Sequence, residues 1–177
     1  MDENIREILL GGQSFSWKEE ADGSFTAVLN ERVYRIRDIH DAESDEYLRS
    51  YFDLDYDYDK ARDEIRAKDQ IPREAVDKVG KLRILKQDHW ITTISFILSQ
   101  NNNIKRITGL YRKLCENYGH EVEKGYFSFP TPEELSRATE EDLRALGVGF
   151  RAPFIMDAVR NHHILDEIDS LDFDAAL

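Results

Sequence analysis

"SQNNNIKRITG", residues 99–109, follows the apolar run Trp90-Ile91-Thr92-Thr93-Ile94-Ser95-Phe96-Ile97-Leu98 without a break. Asp88 is placed to cap that run, and Ile91, Ile94, Ile97 and Leu98 fall at the spacing of a central buried helix. Beyond the junction, Ile104, Ile107, Tyr111 and Leu114 recur at helical spacing until Asn117-Tyr118-Gly119 ends the element. The stretch therefore joins two helices. A turn is the ordinary account of Asn101-Asn102-Asn103, since short amide side chains bond nearby backbone and tolerate left-handed conformation. Lys105 and Arg106, however, open the second helix, where its dipole disfavours cations. Amides and cations gathered at one spot suggest a partner outside the chain.

Composition sets the limits around this stretch. A chain of 177 residues fits one medium domain, or a small one joined to part of another. With 41% hydrophobic and 11% aromatic residues it holds enough apolar surface for a core. One cysteine, Cys115, excludes an internal disulfide; with no apolar signal segment at the start, an intracellular, reducing home is expected. The Trp90–Leu98 run is too short to cross a bilayer. The formal charge of −12 argues at first against nucleic acid. Its distribution argues otherwise. From Gly80 to Cys115 seven cations face Asp88 alone, a local +6, whereas acid collects in "DLDYDYDKARDE", residues 53–64. A basic face on an acidic protein can still bind phosphate.

Toward the N-terminus the pattern is that of strands. "GQSFSWKEE" (12–20) and "GSFTAVLNERVYRIRDI" (23–39) alternate apolar and polar residues around an Ala21-Asp22-Gly23-Ser24 turn, with a second reversal at Asn30-Glu31-Arg32. Strands this few need helices on one face. Helix signals begin near Asp41, predicting one helix toward Tyr51 and another over residues 57–69. Thr131-Pro132-Glu133-Glu134 is a capping box with proline at the first helical position, and Thr139 opens a further short helix closed by Gly147. Ser170-Leu171-Asp172-Phe173-Asp174 reads as a helix beginning, which suggests truncation. The expected class is α+β: a small N-terminal antiparallel sheet domain with a flanking helix over 1–60, then a helical domain over 61–177.

Other eye-catching residues have plain explanations. His162 and His163 are adjacent, so they diverge on a helix and do not have the i, i+4 spacing of a metal pair. Asp53, Asp55, Asp57 and Asp59 lack the glycine and terminal glutamate of a calcium loop. Cys115 lies beside Leu114 on the apolar side of its helix, a core position. No metal or cofactor is expected. "LGVGFRA", 146–152, imitates a phosphate-binding hairpin, although Gly147 also suits an ordinary helix end.

Four segments in this order, "GGQSFSW", "LKQDHWITTISFILSQNNNIKRITGLYRKLCENYG", "YFSFPTPEEL" and "LRALGVGFRAPFI", resemble the 8-oxoguanine DNA glycosylase/AP lyase family. The S-x-N-N-N-I-x-R-I string is the most specific part, and the likeness runs from about Gly11 to Leu177. It implies an N-terminal sheet domain followed by the helical domain of the helix-hairpin-helix glycosylases, acting on double-stranded DNA with 8-oxoguanine opposite cytosine. Such an enzyme takes the damaged base out of the duplex. By similarity, Asn101 fills the vacated space, and Arg106 and Arg151 donate to the O2 and N3 acceptors of the orphaned cytosine. An arginine fork suits that task because it carries only donors. Phe150 is the wedge beside the estranged base. The carbonyl of Gly12 recognises the lesion, whose N7 has become an N–H donor. Ser16 and Pro153 stand where relatives commonly carry basic residues, which weakens the expected grip on phosphate.

The family forms a Schiff base through a lysine assisted by an aspartate. Those residues belong to an L-P-G-V-G-x-K-V-A-type hairpin expected shortly after Leu177, and no lysine here falls at the nucleophile's position. The resemblance thus gives no catalytic residue in this chain. It implies a recognition half that is inactive alone, with self-association expected from apolar surface left uncovered. The alternative is a non-catalytic DNA-binding or structural module of the same shape.

Overall fold

A computed structural model describes residues 4–79 and 82–170. The order of elements is α1 (Ile5–Leu10), β1 (Lys18–Glu19), β2 (Phe25–Leu29), β3 (Arg32–Ile36), α2 (Glu46–Tyr51), α3 (Tyr58–Lys68) and α4 (Gln70–Val79). There follow α5 (His89–Ser99), α6 (Ile104–Tyr118), β4 (Glu121–Glu123), β5 (Tyr126–Phe127), α7 (Pro132–Leu135), α8 (Glu140–Ala145) and α9 (Ala152–Arg160). The α+β class expected from the sequence is what forms. None of the described helices is long and apolar enough to cross a membrane.

The N-terminal strands form a sheet in the order β1-β2-β3. Asn30 and Glu31 take φ of +45° and +59°, the conformation of a tight two-residue hairpin turn. Four of the five β2 residues are buried, so this strand lacks a solvated face despite its alternating appearance. Three expectations need correction. The strand expected over 12–20 contracts to Lys18–Glu19, because residues 11–17 follow an irregular path. The single helix expected from Asp41 to Tyr51 is two elements. Asp38 caps a 3-10 turn at Ile39–Ala42 and Asp45 caps α2, each from an extended backbone that breaks helical continuity. The supposedly all-helical second part also contains the β4–β5 hairpin, whose Gly125 has φ +81°. The helix start expected at Ser170–Asp174 lies outside the described residues from 171 onward.

The chain divides into two compact units. One takes the described residues of Met1–Thr26 and Arg35–Gln87. Its core gathers Trp17, Tyr51 and Phe52, with ring centroids 5.3–6.2 Å apart and the Trp17 indole donating to Tyr51 Oη at 3.1 Å. That bond satisfies the two polar atoms such an aromatic cluster must bury.

The other unit takes Ala27–Tyr34 and the described residues from Asp88 on. Its helices start as the sequence dictates: Asp88 accepts from Ile91 N–H, and Thr131 and Thr139 close capping boxes with Glu134 and Asp142. Ile94 and Leu98 of α5, Leu114 of α6, Leu143 of α8 and Ile155 of α9 are fully buried together with Val148. Trp90 Nε1–H donates to the Pro130 carbonyl at 2.9 Å, tying α5 to the loop before α7.

His120 closes the edge of this unit. Its Nδ1 lies 3.0 Å from Glu134, its Nε2 touches Glu31, and Ser128 Oγ is 3.1 Å from Nδ1. Glu134 and Glu31, through hydrogen bonds and charge, raise the imidazole above its ordinary value against a smaller desolvation effect. A raised folded value means stabilisation that is complete below the unfolded value, about 6.5, and lost as pH rises through the folded one. Replacing His120 with glutamine should therefore lower the melting temperature more at about pH 5.5 than at about pH 8.5. Equal losses at both would show that the ion pairs are not what His120 contributes.

Candidate nucleic-acid interface

The three asparagines after α5 do three different things. Asn102 Nδ2–H donates to the Leu98 carbonyl at 2.9 Å and so caps the end of α5. Asn103 is the N-cap of α6, its Oδ1 accepting from Arg106 N–H at 3.0 Å. Asn101 takes the left-handed bend between them, with φ +47°. Its exposed side-chain amide has no hydrogen bond among the described residues. The turn reading thus accounts for Asn102 and Asn103 and leaves one amide over.

The second half of the site is the bend after α8. Gly147 and Gly149, with φ of +100° and +70°, let the chain reverse, and the buried Val148 between them anchors the bend. Two cations one heptad apart on α6 hold its carbonyls. Lys113 Nζ donates to Leu146 O at 3.0 Å and Arg106 Nη2 reaches Gly147 O at 3.4 Å. Phe150 is left 54% exposed.

Arg151 departs from its expected posture. It is only 2% exposed, and its fork points into the protein instead of outward. Nε donates to Gln100 O at 3.0 Å, Nη1 to Val148 O at 3.1 Å, and Nη2 to Asn101 O at 3.2 Å and again to Gln100 O. The guanidinium carbon also sits 4.5 Å from the centroid of the Phe150 ring. Burial, with the neighbouring charge of Arg106, makes the guanidinium easier to deprotonate than usual. In this conformation the residue stitches the Gln100–Asn101 turn to the 148–151 bend. Asn101, Arg106, Phe150 and Arg151 are therefore brought together, with only the first three exposed.

Gly12 belongs to the other compact unit. Its φ of +102° is a conformation only glycine adopts without strain. The next residue secures it: Gln13 Nε2 donates to Arg83 O at 2.8 Å, Gln13 Oε1 accepts from Leu85 N–H at 3.1 Å, and Gln87 Nε2 donates to Gln13 O at 2.7 Å. The carboxamide behaves like one rung of a sheet laid across residues 83–85. Sequence reading missed this brace, as it missed Lys113. A long-range rung leaves no periodic trace, and a lysine on a helix surface looks like solvated charge.

Residues 2–92 match the family model described as 8-oxoguanine DNA glycosylase, N-terminal domain, and residues 94–162 that of the HhH-GPD superfamily base excision DNA repair protein. The chain belongs to the 8-oxoguanine DNA glycosylase family. Among the family's curated relatives, the N-glycosylase/DNA lyase of Saccharomyces cerevisiae is 33% identical over 88% of this chain and 48% of its own length. The Arabidopsis thaliana N-glycosylase/DNA lyase is 26% identical over 84% of this chain and 45% of its own length. The chain thus spans about half the length of these relatives. The Clostridium acetobutylicum 8-oxoguanine glycosylase/lyase in its apo form superposes with a TM-score of 0.85 at 29% identity, over 98% of this chain and 66% of the other. The same enzyme with double-stranded DNA containing cytosine opposite 8-oxoguanine gives 0.86 at 27% identity, over 98% and 65%.

Proposed function

We propose that this chain is the damage-recognition half of an intracellular DNA glycosylase/AP lyase that removes 8-oxoguanine opposite cytosine during base-excision repair. The observation that carries the reading is the cluster at the α5–α6 junction: one uncommitted amide at Asn101, the exposed fork of Arg106 and the exposed ring of Phe150. An enzyme that extrudes a base needs a filler for the gap, a donor for the orphaned partner and a wedge against the neighbouring stack. Asn101, Arg106 and Phe150 have those chemistries. Arg151 holds the bend in the free protein, and it reaches the cytosine only by exchanging carbonyl acceptors for those of the base. The carbonyl of Gly12, set by a backbone only glycine tolerates, is the acceptor for the N7–H that distinguishes the lesion from guanine.

None of the lysines in the chain is assigned as nucleophile. Fluorescence anisotropy with duplexes carrying 8-oxoguanine or guanine opposite cytosine tests the reading. The lesion duplex should bind more tightly, both affinities should fall with salt, and borohydride should trap no covalent adduct. Equal affinity for the two duplexes overturns the recognition reading, and a trapped adduct overturns the absence of a nucleophile.

A further inference from the structure

Gly109 lies in the middle of the 15-residue helix α6, on an exposed face. Glycine there weakens a helix relative to alanine. Glycines kept in helices usually admit a neighbour that a Cβ would push away. Here a Cβ would meet nothing within 4 Å, so no internal packing explains the residue. Lys105 and Arg112 flank it at i−4 and i+3 on the same face, opposite the buried stripe of Ile107, Leu110 and Leu114. Both are exposed, and neither has a hydrogen bond or ion pair among the described residues. The first turn of α6 contains no acid to offset the helix dipole, although Lys105 and Arg106 stand in it. Glu116, further along the same stripe, is its acidic end.

We propose that this face of α6 is a track for the phosphate backbone of double-stranded DNA, with Gly109 as the point of closest approach between Lys105 and Arg112. The proposal rests on the reading of the chain as a DNA glycosylase half. It adds that the strand contacted is the one opposite the lesion, because the track begins at the same helix end as Asn101 and Arg106. The rise of 1.5 Å per residue separates Lys105 from Arg112 by about 10 Å along the axis. That is about three times the 3.4 Å axial rise per nucleotide, and a backbone that also winds around the axis covers it in fewer steps. Two flexible cations can therefore grip separate phosphates while the bare helix surface between them lets the sugar-phosphate chain lie close. A merely solvated face would have no use for the glycine, since alanine would hold the helix better without touching anything.

The test uses the 177-residue chain, undamaged mixed-sequence duplex DNA and a salt titration. Lys105→Gln and Arg112→Gln should each lower the slope of log affinity against log salt by about one. Gly109→Ala should raise the melting temperature by about 2–4 °C, as expected where a helical glycine gives way to alanine. Gly109→Leu also favours helix but should weaken duplex binding about tenfold, an effect no loss of folding would explain in a protein that melts higher. Unchanged slopes for the two charge variants, or Gly109→Leu binding like wild type, overturn the track. Failure of the wild-type chain to bind any duplex overturns the glycosylase reading beneath it, so the two failures are told apart.

Discussion

Arg151→Met is expected to destabilise the protein by about 3 kcal/mol, the largest loss foreseen for any residue of the site. The substitution keeps an apolar stem but removes every donor to Gln100 O, Asn101 O and Val148 O. Stranding buried acceptors costs about 1–3 kcal/mol each, and the first two carbonyls here are only partly buried, so the sum is placed near the lower end. For a chain of this size the melting temperature should fall by about 6–12 °C. Arg151→Lys should recover only part of the loss, since one ammonium cannot span three carbonyls as a planar fork does. Thermal melts of the two variants beside wild type decide the matter, and an unaltered melt for the methionine variant would mean that the fork contributes nothing to the fold.

Arg106→Gln should behave in the opposite way. Arg106 is exposed and its contact with Gly147 O is long at 3.4 Å, so stability should barely change. Its donors are the ones proposed for the orphaned cytosine. Their loss should reduce the preference for a lesion opposite cytosine over one opposite adenine by about 1–3 kcal/mol, or about 5- to 150-fold in relative affinity. Competition binding with the two duplexes measures it. A variant that keeps the wild-type preference removes Arg106 from the recognition of the opposite base.

Much of this was legible in the residues. The helices over 89–99 and 104–118, their aspartate and asparagine caps, and the boxes at Thr131 and Thr139 follow from local chemistry, and they form where that chemistry puts them. The clustering of Asn101, Arg106, Phe150 and Arg151 was legible through the motif strings. What could not be read is which way a long side chain turns. Arg151 faces inward because the carbonyls of Gln100 and Asn101, fifty residues away in sequence, converge on it. No pattern of spacing records such a meeting. The same holds for β1, where an alternating string forms only two paired residues because Gln13 pairs with residues 83 and 85 instead of a neighbouring strand.

The Gln13 brace has a bearing on the order of assembly. Its rung to Arg83 closes a span of 70 residues, and ring closure over such a distance is entropically uphill until the intervening chain has condensed. Helices α2, α3 and α4 lie wholly inside that span and are expected to condense from near neighbours ahead of it. The backbone pose at Gly12 is thereby expected to be fixed late as the chain matures, and late protection of the Leu85 amide, which donates to the Gln13 side chain, is the measurement that checks it.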